Sequence, residues 1–224
     1  MEQKHVLPAE IERESMRIIA EELSQRGISL PEENAAVIKR VIHTTADFDY
    51  AENLRFTPKA VEKGIAALKS GVAIITDTNM AKAGISGAGL KKLNCEVHCF
   101  IASGSVAETA RQKGVTRAAA SMEKAAEEYP GAVLAVGNAP TALLRICGLI
   151  EEGLRPALVI GVPVGFVNVV ESKQQIFKVC QEFEVPCIAA MGRKGGSNVS
   201  AAICNALLYT ALDVLDPSQR QARL

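Results

Sequence analysis

The chain of 224 residues contains no tryptophan, and aromatic residues make up only 4% of it. Stacking platforms for bases or sugars are therefore not expected to organise a site, and a ligand should meet backbone, aliphatic side chains and a few charges. Neither sign of charge is in excess, because 25 basic residues balance 25 acidic ones. Such a balance gives no global field for gathering nucleic acid or an anionic membrane, so an acidic partner has to be held by local clusters. No apolar run reaches the roughly 18 residues of a membrane span. The opening Met1-Glu-Gln-Lys-His5 leads into charged sequence rather than the apolar core of a signal peptide, and the expectation is a cytoplasmic protein.

Other motifs are missing too. The six cysteines (Cys95, Cys99, Cys147, Cys180, Cys187 and Cys204) lie on or beside apolar segments with no Cys-x-x-Cys pair, which reads as buried reduced thiols. A metal site from Cys95, His98 and Cys99 is opposed by strand alternation, which turns His98 away from both thiols. There is no Walker A loop and no G-x-G-x-x-G, G-x-S-x-G, zinc or kinase signature.

What is present is a chain 48% hydrophobic and 22% charged, long enough to bury a sizeable core as one domain. Residues 1–45 read as two helices, the first carrying Ile11, Ser15, Ile18, Ile19 and Leu23 and ending at Gly27, the second opening at Pro31. From residue 57 to 212, apolar runs at 72–76, 97–102, 133–136, 157–164 and 187–190 alternate with helical patterns. These lie at 80–93, 105–113, 121–128, 140–152, 172–184 and 197–212, with a further helix start at Thr57-Pro58. Buried strands alternating with amphipathic helices predict an α/β fold: a mostly parallel β-sheet with helices on both faces, preceded by the N-terminal helical segment. Residues 213–224 are expected to fray.

A parallel sheet collects its strand C-termini along one edge, and the unusual residues cluster there. Asp77 ends the first run, and Gly137-Asn138-Ala139-Pro140 follows the third, with Asn138 a candidate cap for the next helix. The last run leads into Gly192-Arg193-Lys194-Gly195-Gly196-Ser197. Glycines there allow close backbone approach, the next helix adds its positive end and two cations stand beside it, which suits a carboxylate or phosphate; the alternative is a flexible turn with solvated charges. His43 falls at the end of an apolar helical face, where an imidazole can exchange protons near neutral pH or simply cap and pack. Asp77 has the alternative of capping the helix after it, and Arg117, after Thr116, that of a surface salt bridge. His5 and His98 are poorer candidates.

Taken together, Val41-Ile-His43-Thr44-Thr45, Thr76-Asp77-x-x-Met80, Thr116-Arg117, Gly137-Asn-Ala-Pro-Thr-Ala-Leu143, Gly161-Val-Pro-Val-Gly-Phe-Val167 with Glu171-Ser-Lys173, and Gly192-Arg-Lys-Gly-Gly-Ser197 through Leu207 resemble the precorrin-8X methylmutase family of corrin biosynthesis. The resemblance runs in order from about Ile11 to Leu212; Ala81, where a larger aliphatic residue is common, and the C-terminal tail depart from it. It implies an isomerase that moves a methyl group from carbon-11 to carbon-12 at ring C of precorrin-8X or cobalt-precorrin-8. The product is hydrogenobyrinate or cobyrinate, with no cofactor, methyl donor or resident metal. By the same resemblance His43 is the acid/base, and the rim that meets the substrate draws on Ser15, Arg40, Thr44, Asp77, Arg117, Asn138, Arg193, Lys194, Gly195, Gly196 and Ser197. A symmetric homodimer is implied as well, with no nucleic acid or membrane as partner. Two alternatives remain: a precorrin methyltransferase using S-adenosylmethionine, against which stands the absence of a glycine-rich loop after Val72–Asp77, and a non-catalytic corrinoid carrier.

Overall fold

The computed structural model describes residues 8–223; His5 lies outside them. The chain begins with α1 (Pro8–Gln25) and α2 (Glu32–Thr45), then a short α3 (Tyr50–Asn53) and β1 (Leu54–Phe56). There follow α4 (Ala60–Lys69), β2 (Ile74–Thr76), α5 (Asn79–Gly84), α6 (Gly87–Lys92), β3 (Val97–His98), α7 (Gly104–Lys113) and α8 (Arg117–Glu128). The remainder comprises β4 (Val133–Val136), α9 (Pro140–Glu151), β5 (Leu158–Gly161), α10 (Val169–Glu182), β6 (Cys187–Ala190), α11 (Ser197–Ala211) and α12 (Pro217–Arg223).

The six strands form one sheet in the order β1-β6-β5-β4-β2-β3, parallel throughout except for β1, which runs antiparallel to β6. Both faces of each central strand are buried, which is why the sequence shows continuous apolar runs instead of alternation. Ile74, Val133, Ala135, Leu158, Ile160 and Ile188 face a core with α1, α2, α4 and α11. Ile75, Leu134, Val136, Val159, Cys187 and Ala189 face the other, with α8, α9 and α10. Helix α11 is the central helix of its layer, with ten buried residues, and packs on α2, α4 and α5.

Several elements depart from expectation for local reasons. The three-residue β1 carries too short a pattern to signal a strand, and its pairing with β6 supplies the reason it forms. The helix expected at Thr57-Pro58 starts at Ala60, because the Thr57 hydroxyl instead accepts the Cys187 N–H at 2.8 Å. The pattern at 80–93 divides in two, each half capped by its own hydroxyl, Thr78 for α5 and Ser86 for α6. Helix α8 starts four residues earlier than expected, since Thr116 caps it and Arg117 is its first residue. Only Val97 and His98 of the run 97–102 pair with the sheet; His98 stacks on Tyr129 at 4.8 Å and bonds Glu96.

Within the segment expected to fray, residues 217–223 form α12. Val214 is fully buried, α12 packs on α1, and Arg220 bonds Glu12 at 2.8 Å and the carbonyls of Val214 and Leu215. A pairing across 208 residues of sequence leaves no local trace.

Candidate active site

Strand order reverses between β2 and β4: the chain leaves β2 toward β3, then returns to β4 and proceeds the opposite way through β5 and β6. A crevice opens outside the strand C-termini at such a switch point, and four loops, those after β2, β4, β5 and β6, meet along that edge. The first is tied to the second by Asp77, 1% exposed, whose Oδ1 accepts the Gly137 N–H at 2.9 Å while Oδ2 accepts those of Asn138 and Ala139 at 2.8 Å each. Asp77 thus holds the start of α9 from across the sheet, a task expected of Asn138, which is instead exposed. Burial pushes the Asp77 carboxyl upward against the pull of those three N–H groups. The Asp77 carboxylate, expected at the substrate rim, is thus occupied by three backbone amides and shapes the loop, while Asn138 is exposed.

The loops after β4 and β5 each touch the β6–α11 loop backbone to backbone. A Cβ on Gly137 would lie 2.7 Å from Ser197 Cα, and one on Gly195 would lie 2.2 Å from the Val162 carbonyl oxygen, so neither position admits a side chain. The Gly196 N–H donates to Val162 O at 2.8 Å, and the Ser197 and Thr78 hydroxyls pair at 2.7 Å. Helices α9 and α11 both begin at this edge, with their positive ends toward it. Large apolar side chains stand unburied along it: Phe166 is 84% exposed, Val167 77% and Met80 72%.

His43 lies in the last turn of α2, two residues before its end. The turn that follows it carries Asp47 and Asp49, and Lys194 reaches across from the β6–α11 loop to both carboxylates at 2.6 Å. The imidazole is half-buried, and among the described residues nothing hydrogen-bonds it. Desolvation lowers its pKa, with Arg40 and Arg220 acting in the same sense and Glu12 opposing. One turn earlier, Arg40 is 8% exposed and pairs with Glu12 at 2.6 Å; Arg40 and Arg220 both lie over the Tyr209 ring, at 5.4 and 4.1 Å. A cavity of about 250 Å³ opens between α2, α5 and α11, lined by Arg40, Thr44, Gly84, Asn198, Asn205 and Tyr209.

The four cations expected at the rim therefore differ in kind. Arg40 and Lys194 already have carboxylate partners. Arg193 and Arg117 are exposed and have none among the described residues; Arg193 lies 5.6 Å from the Phe166 ring centroid, and Arg117 opens α8 next to the Thr116–Thr141 hydroxyl pair. Ser15 is half-buried on α1 and donates to Ile11 O at 2.9 Å within its own helix. Sequence reasoning did not single out Glu12, Tyr209, Arg220 or Thr78. Only Thr78 had a local signal, a hydroxyl three residues ahead of the N–H it caps.

A parallel α/β sheet with a glycine-lined crevice at its switch point is the arrangement of an α/β enzyme that binds its ligand at the strand C-termini. Residues 10–210 match the family model of precorrin-8X methylmutase. The chain is 44% identical over 203 residues to the cobalt-precorrin-8 methylmutase of Leptospira interrogans (88% of this chain, 91% of that one). It is 46% identical to that of Salmonella typhimurium (78% and 80%). The crystal structure of precorrin-8x methyl mutase from Thermus thermophilus superposes with a TM-score of 0.80 at 40% identity, covering 91% of this chain and 98% of the other. The chain belongs to the precorrin-8X methylmutase family, and it is accordingly an isomerase, an intramolecular methyl transferase.

Proposed function

We propose that the protein converts cobalt-precorrin-8 to cobyrinate by moving the ring C methyl group from carbon-11 to carbon-12, with His43 as the general acid. The observation that carries this reading is the His43 imidazole, half-buried and without a hydrogen-bond partner among the described residues, next in the chain to Thr44 of the cavity between α2, α5 and α11. Protonation of a ring nitrogen by His43 draws electron density from the conjugated system and eases a suprafacial [1,5] shift. The methyl never leaves the substrate, so no donor enters the balance. Glycine and aliphatic walls suit a flat macrocycle, while Arg193, Arg117 and the loop amides suit its carboxylates. Relatives of 44% and 46% identity named for the cobalt form support cobalt-precorrin-8 over precorrin-8X. Incubation with each substrate, followed by visible spectroscopy, tests this: faster conversion of the cobalt form is expected, and conversion of the metal-free form alone overturns the choice.

Arg193 acts on binding in this reading. Arg193→Ala is expected to raise KM about 10-fold, the worth of one charge-assisted contact, and to weaken the salt dependence of KM, with kcat nearly unchanged. Unaltered KM at low and high salt would dismiss Arg193 as a carboxylate contact. A homodimer, with its sites near the subunit interface, completes the proposal.

A further inference from the structure

Among the described residues the largest fully buried side chain is a lysine. Lys173 is 0% exposed, in a buried stripe of α10 made otherwise of Val169, Ser172, Ile176, Val179 and Cys180. Among the described residues no carboxylate pairs with it. Its Nζ instead donates to two carbonyls of the β6–α11 loop, Gly192 O at 2.9 Å and Lys194 O at 2.7 Å. A buried cation without a counter-charge is disfavoured relative to an apolar side chain of the same volume, so packing alone does not account for it.

The loop shows what those two bonds do. In a trans peptide the C=O and the following N–H point in opposite directions. With the carbonyls of Gly192 and Lys194 turned inward to Lys173, the N–H groups of Arg193 and Gly195 are turned away from it. Neither amide has an acceptor among the described residues, whereas Gly196 N–H is spent on Val162 O. Two free amides on the same side of a loop, backed by a fixed positive charge, form a receptor for a carboxylate.

We infer that Lys173 is a positioning residue that aims the Arg193 and Gly195 amides at a carboxylate of the substrate and supplies the charge behind them. This rests on the reading of the crevice as the methylmutase site. Lys173 never meets the ligand; it acts through the loop. The charged groups of the elements packed about it are the exposed Glu171 on its own helix, Arg145, Glu151 and Glu152 on and after α9, and Arg193 and Lys194 on the loop, the latter turned to Asp47 and Asp49; burial alone shifts its titration. Desolvation brings the ammonium down to a pKa of about 8, so its charge is present at neutral pH and lost as pH rises through that value. His43, depressed below its ordinary value, is already neutral across that range.

The test measures binding of hydrogenobyrinate, the metal-free product, by spectral titration between pH 7 and 9.5, alongside KM and kcat. In the wild-type protein Kd should rise as pH passes about 8. Lys173→Met should keep the thermal midpoint, raise Kd and KM about 10- to 100-fold at neutral pH, leave kcat within a few-fold and abolish the pH dependence. Lys173→Gln, which keeps a donor but no charge, should fall between the two and is the variant to use if the methionine form does not fold. A wild-type Kd flat across this pH range, or a folded variant with unchanged Kd, overturns the inference. Absence of turnover by the wild-type protein would defeat the methylmutase reading instead, and the Kd comparison would still decide the role of Lys173.

Discussion

His43→Ala is expected to lower kcat by about 10²- to 10⁴-fold, the usual range for a positioned general acid, and to leave substrate binding near the wild-type level. Binding is spared because the loop amides and Arg193, not the imidazole, hold the carboxylates in this mechanism. The pH profile should carry the same signature. Desolvation, then Arg40, holds the imidazole below its ordinary value of 6.5, so the acid form predominates only below that depressed value and is lost as pH rises through it. kcat/KM should thus be highest at acid pH and fall by about tenfold per unit above an inflection lower than 6.5. Arg220→Met removes one of the depressing charges and should move the inflection upward. An His43→Ala protein that turns over at the wild-type rate would end the general-acid assignment; an inflection that moves downward in Arg220→Met would end the electrostatic account of it.

Asp77→Asn should produce the largest loss of stability among single substitutions at the crevice that keep side-chain size. The carboxylate accepts three N–H bonds, and an asparagine at that site retains one oxygen for Gly137 while turning an NH₂ group against the Asn138 and Ala139 amides. Leaving buried donors unpaired and facing another donor costs about 1–3 kcal/mol each. For a chain of this size that lowers the melting temperature by on the order of 10 °C. The loop at the start of α9 should loosen with it, so KM should rise along with the loss of stability. A thermal midpoint within about 2 °C of wild type, less than the effect of 1 kcal/mol, would show that these bonds do not hold the switch point together.

Much of the fold follows from patterns short in sequence. The runs 133–136 and 187–190 form strands of those limits because burial on both faces demands uninterrupted apolar residues, and nothing in the tertiary structure overrides it. The position of the loops also follows, since parallel strands must send their C-termini to one edge. Side-chain roles at that edge were less legible. Asp77 and Asn138 both stood where a cap was needed, and sequence offered each the helix nearest to it; the sheet brings Asp77 within reach of a helix start some 60 residues away. Likewise nothing local in the sequence signals that Asp47 and Asp49 fold against Lys194, or Glu12 against Arg40.

The scarcity of aromatics and the balance of charge by themselves excluded an aromatic stacking platform and a global electrostatic field as ways of gathering a ligand. The apolar runs alternating with amphipathic helical patterns determined the parallel α/β class, because hydrophobic periodicity acts over a handful of residues. Which charges stay unpaired, why a lysine occupies the buried stripe of α10, and that the C-terminal helix closes on Glu12 were decided only in three dimensions. The physical reason is common to all three: a charge or a hydrogen bond is satisfied by whatever lies within about 3 Å in space, and here those partners come from elsewhere in the chain.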